Sequence, residues 1–205
     1  MATATSSKDK RTARRAIWSA AGALVVLLGL VVLANVHGSH ARKSSPPSAF
    51  GWLRPAAAPP GWKVARTPSG AALAYPARWR QIETDPGTAS AAPAGAHGSF
   101  VGYLNATPRS GRETLANWSR FRVAHVAEEG AHDVRLAAAA TGLRFRSGHG
   151  SCVIDSYSTD RTRFREIACI VTGARTTTVV VAAAPENRWG RHAHLLERAV
   201  TSFAT

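Results

Sequence analysis

The stretch SCVIDSYSTDRTRFREIACIVT, residues 151–172, decides how this chain folds. Residues 151–158 and 162–172 have strand-like composition and the segment between them is polar, so the pair reads as a β-hairpin. With Asp160-Arg161 as a two-residue turn, the register follows. Cys152 then faces Cys169, and Asp155 faces Glu166 on the side shared by Tyr157 and Phe164. A non-hydrogen-bonded antiparallel pair brings two cysteines close enough for a disulfide. Closing that loop contributes about 3 kcal/mol in the chain-entropy account; two free buried thiols are the alternative.

The facing acids raise a chemical question. Like charges directly across a ladder repel, so a cation is expected beside them. Arg144 or Arg146 on the preceding strand is the candidate. The alternative is a shared-proton carboxylate pair or a cation site, because proximity raises one carboxyl pKa.

Outward from the hairpin, Val134–Ala139 and Leu143–Ser147 read as earlier strands and Thr176–Ala184 as a later one. Val179-Val180-Val181-Ala182 is apolar on both faces, as in a covered central strand. From Asn187 to Phe203, a closing helix carries Trp189, His192, Leu196, Ala199, Val200 and Phe203 on one stripe. Upstream, Ser110 and Glu113 read as a capping box, and Gly130 stops the helix they begin. Leu115, Trp118, Phe121, His125 and Val126 recur near helical spacing. Ser99–Leu104 reads as a strand, and Asp85 to Gly98 as an irregular excursion with room for one short strand. A first hairpin spans Trp62–Thr67 and Ala71–Tyr75 around Pro68-Ser69-Gly70. The small residues from Gly148 to Cys152 read as a bulge or tight bend. The sum is an α+β chain, an antiparallel sheet sandwiched with helices.

Three features carry a resemblance. They are the hairpin running into Tyr75-Pro76-Ala77-Arg78-Trp79, the single mid-chain helix, and Val180–Pro185 leading into a helix that closes at Ser202-Phe203. Over residues 61–205 their order resembles the PsbP-like (Mog/PsbP) fold. It is similar to singly membrane-anchored extracytoplasmic proteins of high-GC Gram-positive bacteria. The resemblance implies an α/β/α sandwich and a non-enzymatic accessory or binding role, and no binding residue is carried over from it.

The N-terminal third is organised differently. Residues 1–15 form a basic tail, and residues 16–36, AIWSAAGALVVLLGLVVLANV, carry no charge. At about 1.5 Å per residue such a stretch spans a bilayer core of about 30 Å. Arg11, Arg14 and Arg15 precede it, which keeps that end cytoplasmic and sends the remainder across. The reading is a transmembrane signal anchor, with cleavage near Ser39-His40-Ala41 as the alternative. Residues 37–60 are a Pro/Ala-rich linker, semi-rigid by composition. Phe50, Trp52 and Leu53 are unusual there and either dock on the domain or lie at the membrane surface. Residues 61–205 form the extracytoplasmic domain.

Charge says little about partners. The formal net charge is +14, from 26 Lys+Arg against 12 Asp+Glu. From Gly61 onward, arginine supplies every base except Lys63, the skew of a high-GC genome. No basic stripe interleaved with aromatics lies on one element, so nucleic acid is not an expected partner. No nucleophile elbow, P-loop or dinucleotide turn is present. His125, Glu128 and Glu129 share a helical face, but the spacing matches no zinc motif and Gly130 separates them from His132. His192 and His194 lie two apart on a helix and cannot face one site. Arg161, Arg163 and Arg165 alternate along one strand face, read as a solvated charged surface, with anionic lipid or wall polymer as the alternative.

The expected function is therefore a non-catalytic, membrane-anchored accessory or interaction module of the cell envelope, without cofactor or metal, acting on a protein partner. The alternatives are a small-ligand or lipid-binding envelope protein, and a hydrolase using Asp155 and Glu166.

Overall fold

The computed structural model describes residues 48–93 and 102–205; the expectations for the basic tail, the anchor at 16–36 and the first part of the linker lie outside the described residues. Two short strands, β1 (Lys63–Arg66) and β2 (Ala72–Tyr75), pair as the first hairpin. Seven more strands form one antiparallel sheet: β3 (Trp79–Ile82), β4 (Ala89–Pro93), β5 (Tyr103–Pro108), β6 (His132–Phe145), β7 (Gly148–Ser158), β8 (Arg163–Gly173) and β9 (Thr177–Pro185). Their order across the sheet is β3-β4-β5-β9-β8-β7-β6. The helices are α1 (Trp118–Glu128) and, after a 3-10 turn at Glu186–Arg188, α2 (Trp189–Ser202).

The sheet is covered on both faces, and strand alternation assigns the residues. Leu104, Cys152, Ile167, Cys169, Val171, Val180 and Ala182 point to one face. There they meet Leu196, Val200 and Phe203 at the end of the chain and Leu73 and Tyr75 of the first hairpin. Val153, Ala168, Ile170, Val181 and Ala183 point the other way, toward Trp118 of α1. Because β9 lies between β5 and β8, Val180 and Val181 are both buried, as a central strand requires. Ala72 and Ala204 exchange backbone hydrogen bonds of 2.7 and 3.2 Å, fastening the chain end to the first hairpin.

The hairpin of β7 and β8 has the expected register. Cys152 lies opposite Cys169 with Cα atoms 4.1 Å apart, and the two are joined as a disulfide on the α2 face. Asp155 lies opposite Glu166, and Tyr157 opposite Phe164.

Several boundaries differ from the sequence reading. The two segments read as Val134–Ala139 and Leu143–Ser147 are one strand, β6, with irregular register between Ala140 and Leu143. Gly142, at φ 68°, takes a backbone conformation that β-carbon crowding denies most residues, so the chain bulges there without ending the strand. Gly148–Cys152 is no bend: it belongs to β7, in unbroken register with β8. Small residues are required because a Cβ on Gly150 would lie 2.6 Å from the Ile170 carbonyl oxygen and 2.8 Å from the Phe145 ring.

Of the strand expected at Ser99–Leu104, residues 99–101 lie outside the described residues; among those described, the strand covers Tyr103–Pro108. Its alternating Asn105 and Thr107 lie on one face while Leu104 and Ala106 are buried on the other. Strand β3 has no counterpart in the sequence pattern, and the short strand within Asp85–Gly98 is β4. Helix α1 begins at Trp118, well after the capping box. Glu113 Oε1 does accept the backbone N–H groups of Ser110 and Gly111, at 2.9 and 3.2 Å. The chain then turns through Thr114–Asn117, where Asn117 accepts the Thr114 N–H and donates to the Arg112 carbonyl. The helix stops as expected, with Gly130 at φ 91°.

The linker also changes character before Gly61. Phe50 is only 4% exposed and belongs to the α2-side core, with Trp52 and Leu53 packed against it. Of the two roles left open for these residues, docking on the domain is the one observed.

Candidate functional site

Asp155 and Glu166 are both fully buried on the α1 face. The cation that accompanies them comes from α1, not from the neighbouring strand. Arg122 donates from Nε to Glu166 Oε1 at 2.7 Å and from Nη2 to Oε2 at 3.0 Å, a two-point pair with the arginine itself 9% exposed. The expectation of Arg144 or Arg146 is corrected: Arg144 stands opposite His149, both arginines are exposed, and Asp155 pairs across β6 with Leu136 instead. Planar guanidinium suits this role because its fork matches a carboxylate.

The electrostatics separate the two acids. Burial disfavours the charge on Arg122, and the Glu166 carboxylate more than restores it, so its pKa is raised. Asp155 has no such cation of its own and faces the Glu166 carboxylate across the ladder. Burial first, and then the Glu166 carboxylate, push it up to about 8. At neutral pH Arg122 therefore keeps its charge and Asp155 is held neutral beside it. Tyr157 is likewise raised by burial and by Glu166, and it stacks on Phe164 with ring centres 5.8 Å apart.

Above this cluster a cleft of about 640 Å³ opens between α1 and the strands β5 and β9. Glu166 and Arg122 line its floor. Tyr103, Asn105 and Thr107 line it from β5, on the face of that strand left polar. Asn105 is held in place, donating to Ser90 Oγ at 2.8 Å and accepting from Thr107 Oγ1 at 3.1 Å. Burial pushes the Tyr103 phenol up to about 12, so it stays protonated. The helical wall is a row of rings. Trp118 and Phe121 lie 6.1 Å apart, Phe121 and His125 5.5 Å apart, both nearly parallel. Trp118 Nε1 donates to the Ala168 carbonyl at 2.9 Å and Ser151 Oγ to the Leu115 carbonyl at 2.7 Å, which fix the start of the helix to the sheet.

The remaining candidates fall elsewhere. His125 lies 3.2 Å from Glu129, and His132 lies 3.1 Å from Asp133. Among the described residues, no three potential metal ligands gather in one place. His192 borders the α2-side core, where burial and then Arg188, Arg78 and Arg191 hold its pKa down. The arginine alternation is not a freely solvated face. Arg163 pairs with Glu186 and donates to Ser156 Oγ, and Arg165 lies over the Trp189 ring at 5.2 Å. Only Arg161 of the three is exposed.

Comparison with known proteins bears on the fold. No family model matches the chain, and no curated protein matches it. Among solved structures it is similar to the cyanobacterial PsbP protein CyanoP of Synechocystis sp. PCC 6803, with a TM-score of 0.53 and 14% identity over 71% of this chain and 92% of that one. The fold is PsbP-like. At this identity the likeness concerns architecture alone. A Pseudomonas aeruginosa protein of unknown function (TM-score 0.48, 8% identity, 70% and 96% covered) is more distant. So is LpqN of Mycobacterium tuberculosis, involved in cell envelope biogenesis (TM-score 0.36, 14% identity, 71% and 79% covered). Neither of these two informs the function.

Proposed function

We propose that this chain is a non-catalytic binding module, held at the outer side of a membrane by residues 16–36, with the cleft between α1 and the sheet as its recognition surface. The observation that carries this reading is the state of the acids beneath the cleft. Both oxygens of Glu166 are engaged by Arg122, and Asp155 is fully buried. Acid–base catalysis needs groups within reach of a substrate proton; Glu166 is committed to holding α1 on the sheet through Arg122, and Asp155 is shut away beneath it. What remains accessible is a polar and aromatic recess of a size suited to a ligand or a partner's side chains.

The uncharged, apolar segment with arginines before it supports the anchored topology. Tethering would confine the search for an envelope partner to the membrane surface and raise its effective concentration. The test is in-cell chemical crosslinking of the full-length chain, detergent extraction and mass spectrometry of what is attached. A reproducible envelope partner, lost when residues 61–205 are deleted and the anchor kept, is the expected result. A clean extract, or turnover of a substrate that disappears in Glu166→Gln, would overturn the reading.

A further inference from the structure

The face of α2 turned to solvent is basic. Its other face is committed to the core through Leu196, Ala199 and Val200, and the exposed positions of the helix are Gly190, Arg191, His194 and Arg198. Arg188, also exposed, stands one residue before the helix. At helical spacing Arg188, Arg191 and Arg198 therefore fall along one side of α2. Arg78, exposed in the turn between β2 and β3, joins them. Arg188, Arg78 and Arg191 stand near enough to His192 that, after burial, they hold its pKa down.

Little acid stands against this charge. Among the described residues none of Arg78, Arg188, Arg191 and Arg198 is ion-paired. Glu186, the acid before the helix, is taken by Arg163, and Glu197, the one acid within α2, is partly buried. Arg188 and Arg191 also stand at the positive end of the helix, where a cation is disfavoured without an anion from outside. From Arg188 to Arg198 the row is about 15 Å long, a shape that suits a flat array of anionic groups rather than one small anion. The described chain also begins on this side of the sheet, since Phe50 packs into the α2-side core. With residues 16–36 in a bilayer, residues 37–47 can span at most about 40 Å, so the tether keeps headgroups within reach.

We infer that the basic face of α2, together with Arg78, docks on the anionic phospholipid headgroups of the membrane that holds the anchor. This inference rests on the anchored topology proposed above. It adds an orientation: α2 lies toward the bilayer, and the cleft beneath α1, on the opposite face of the sheet, stays open to a partner.

The test places a fluorophore on Gly190→Cys, where the space around a new side chain is open, or on Ala124→Cys, exposed on α1. Each chain takes one label because Cys152 and Cys169 are joined. The full-length chain is put into vesicles of phosphatidylcholine, alone or in equal mixture with phosphatidylglycerol, that carry a nitroxide headgroup as quencher. The label at 190 is expected to be quenched severalfold more in the anionic vesicles, a difference that high salt removes. The label at 124 should not distinguish the two. An arginine near an anionic surface is worth about fivefold in partitioning, so Arg188→Gln with Arg191→Gln should weaken docking about 25-fold. Arg112→Gln with Arg120→Gln, the same loss of charge on the α1 side, should leave it unchanged. All four arginines are exposed and none is ion-paired, so the melting curves should not move. Equal quenching at 190 in both vesicles, or a loss produced as readily by the α1-side pair, would overturn the inference. Flotation in high salt separates this from the anchored reading. A chain that floats with both vesicles keeps the anchor whatever the quenching, and one that floats with neither overturns both.

Discussion

Asp155→Asn is the substitution whose outcome follows most directly from the buried cluster. In the folded protein Asp155 is neutral up to about pH 8, whereas in the unfolded chain it ionises around its ordinary value of 3.8. A carboxyl whose folded pKa is raised contributes its full share of stability below the unfolded value and loses it as pH climbs through the folded value. Each pH unit between the two removes about 1.4 kcal/mol, so the wild-type chain gives up as much as about 4 kcal/mol by pH 7. Asparagine has the same shape and no proton to lose. The variant should therefore match the wild type near pH 4 and exceed it progressively toward pH 8, by a few kcal/mol at neutral pH. Urea unfolding followed by tryptophan fluorescence at a series of pH values measures the difference. Parallel stability curves, or a variant weaker than wild type at pH 7, would show that Asp155 is ionised in the fold and that the account of the cluster is wrong.

Arg122→Met should destabilise by about 3–5 kcal/mol, because it strands the Glu166 charge without a partner; the double variant with Glu166→Leu should recover much of that loss in a thermodynamic cycle. Replacing Cys152 and Cys169 together by alanine should cost about 3 kcal/mol, and intact protein should gain the mass of two hydrogens on reduction with no thiol alkylated beforehand. Gly150→Ala should lose about 1–3 kcal/mol, since the new methyl meets backbone on β8 that cannot withdraw; unchanged melting would contradict the close approach. Phe50→Ala should lose about 3–5 kcal/mol as a core residue does, whereas a linker residue free of the domain would leave the melt unmoved.

The parts of this fold that were legible in the sequence are the local ones. A two-residue turn sets the register of β7 and β8, so the cysteine pair and the facing acids follow from counting along one hairpin. The closing helix shows its stripe because Leu196, Ala199, Val200 and Phe203 all point to the same core. Arg122 was not legible, because its partner is 44 residues away and an arginine between Phe121 and Val123 reads as a solvent-facing position. Its burial also blurs the apolar stripe of α1. The second half of strand β5 is illegible for a related reason: Asn105 and Thr107 look like loop residues until they are seen to line a cleft. The signal that was available is the like-charge pair itself, which demanded a cation; only its source required the tertiary structure.

The most direct test of the binding-module reading is site-specific photocrosslinking in cells. A photoreactive residue at Phe121, on the cleft wall, is compared with one at Val64, an exposed position on β1. Discrete adducts from position 121 and none from position 64 are the predicted result. Adducts from both positions alike, or from position 64 alone, would contradict the cleft as the recognition surface.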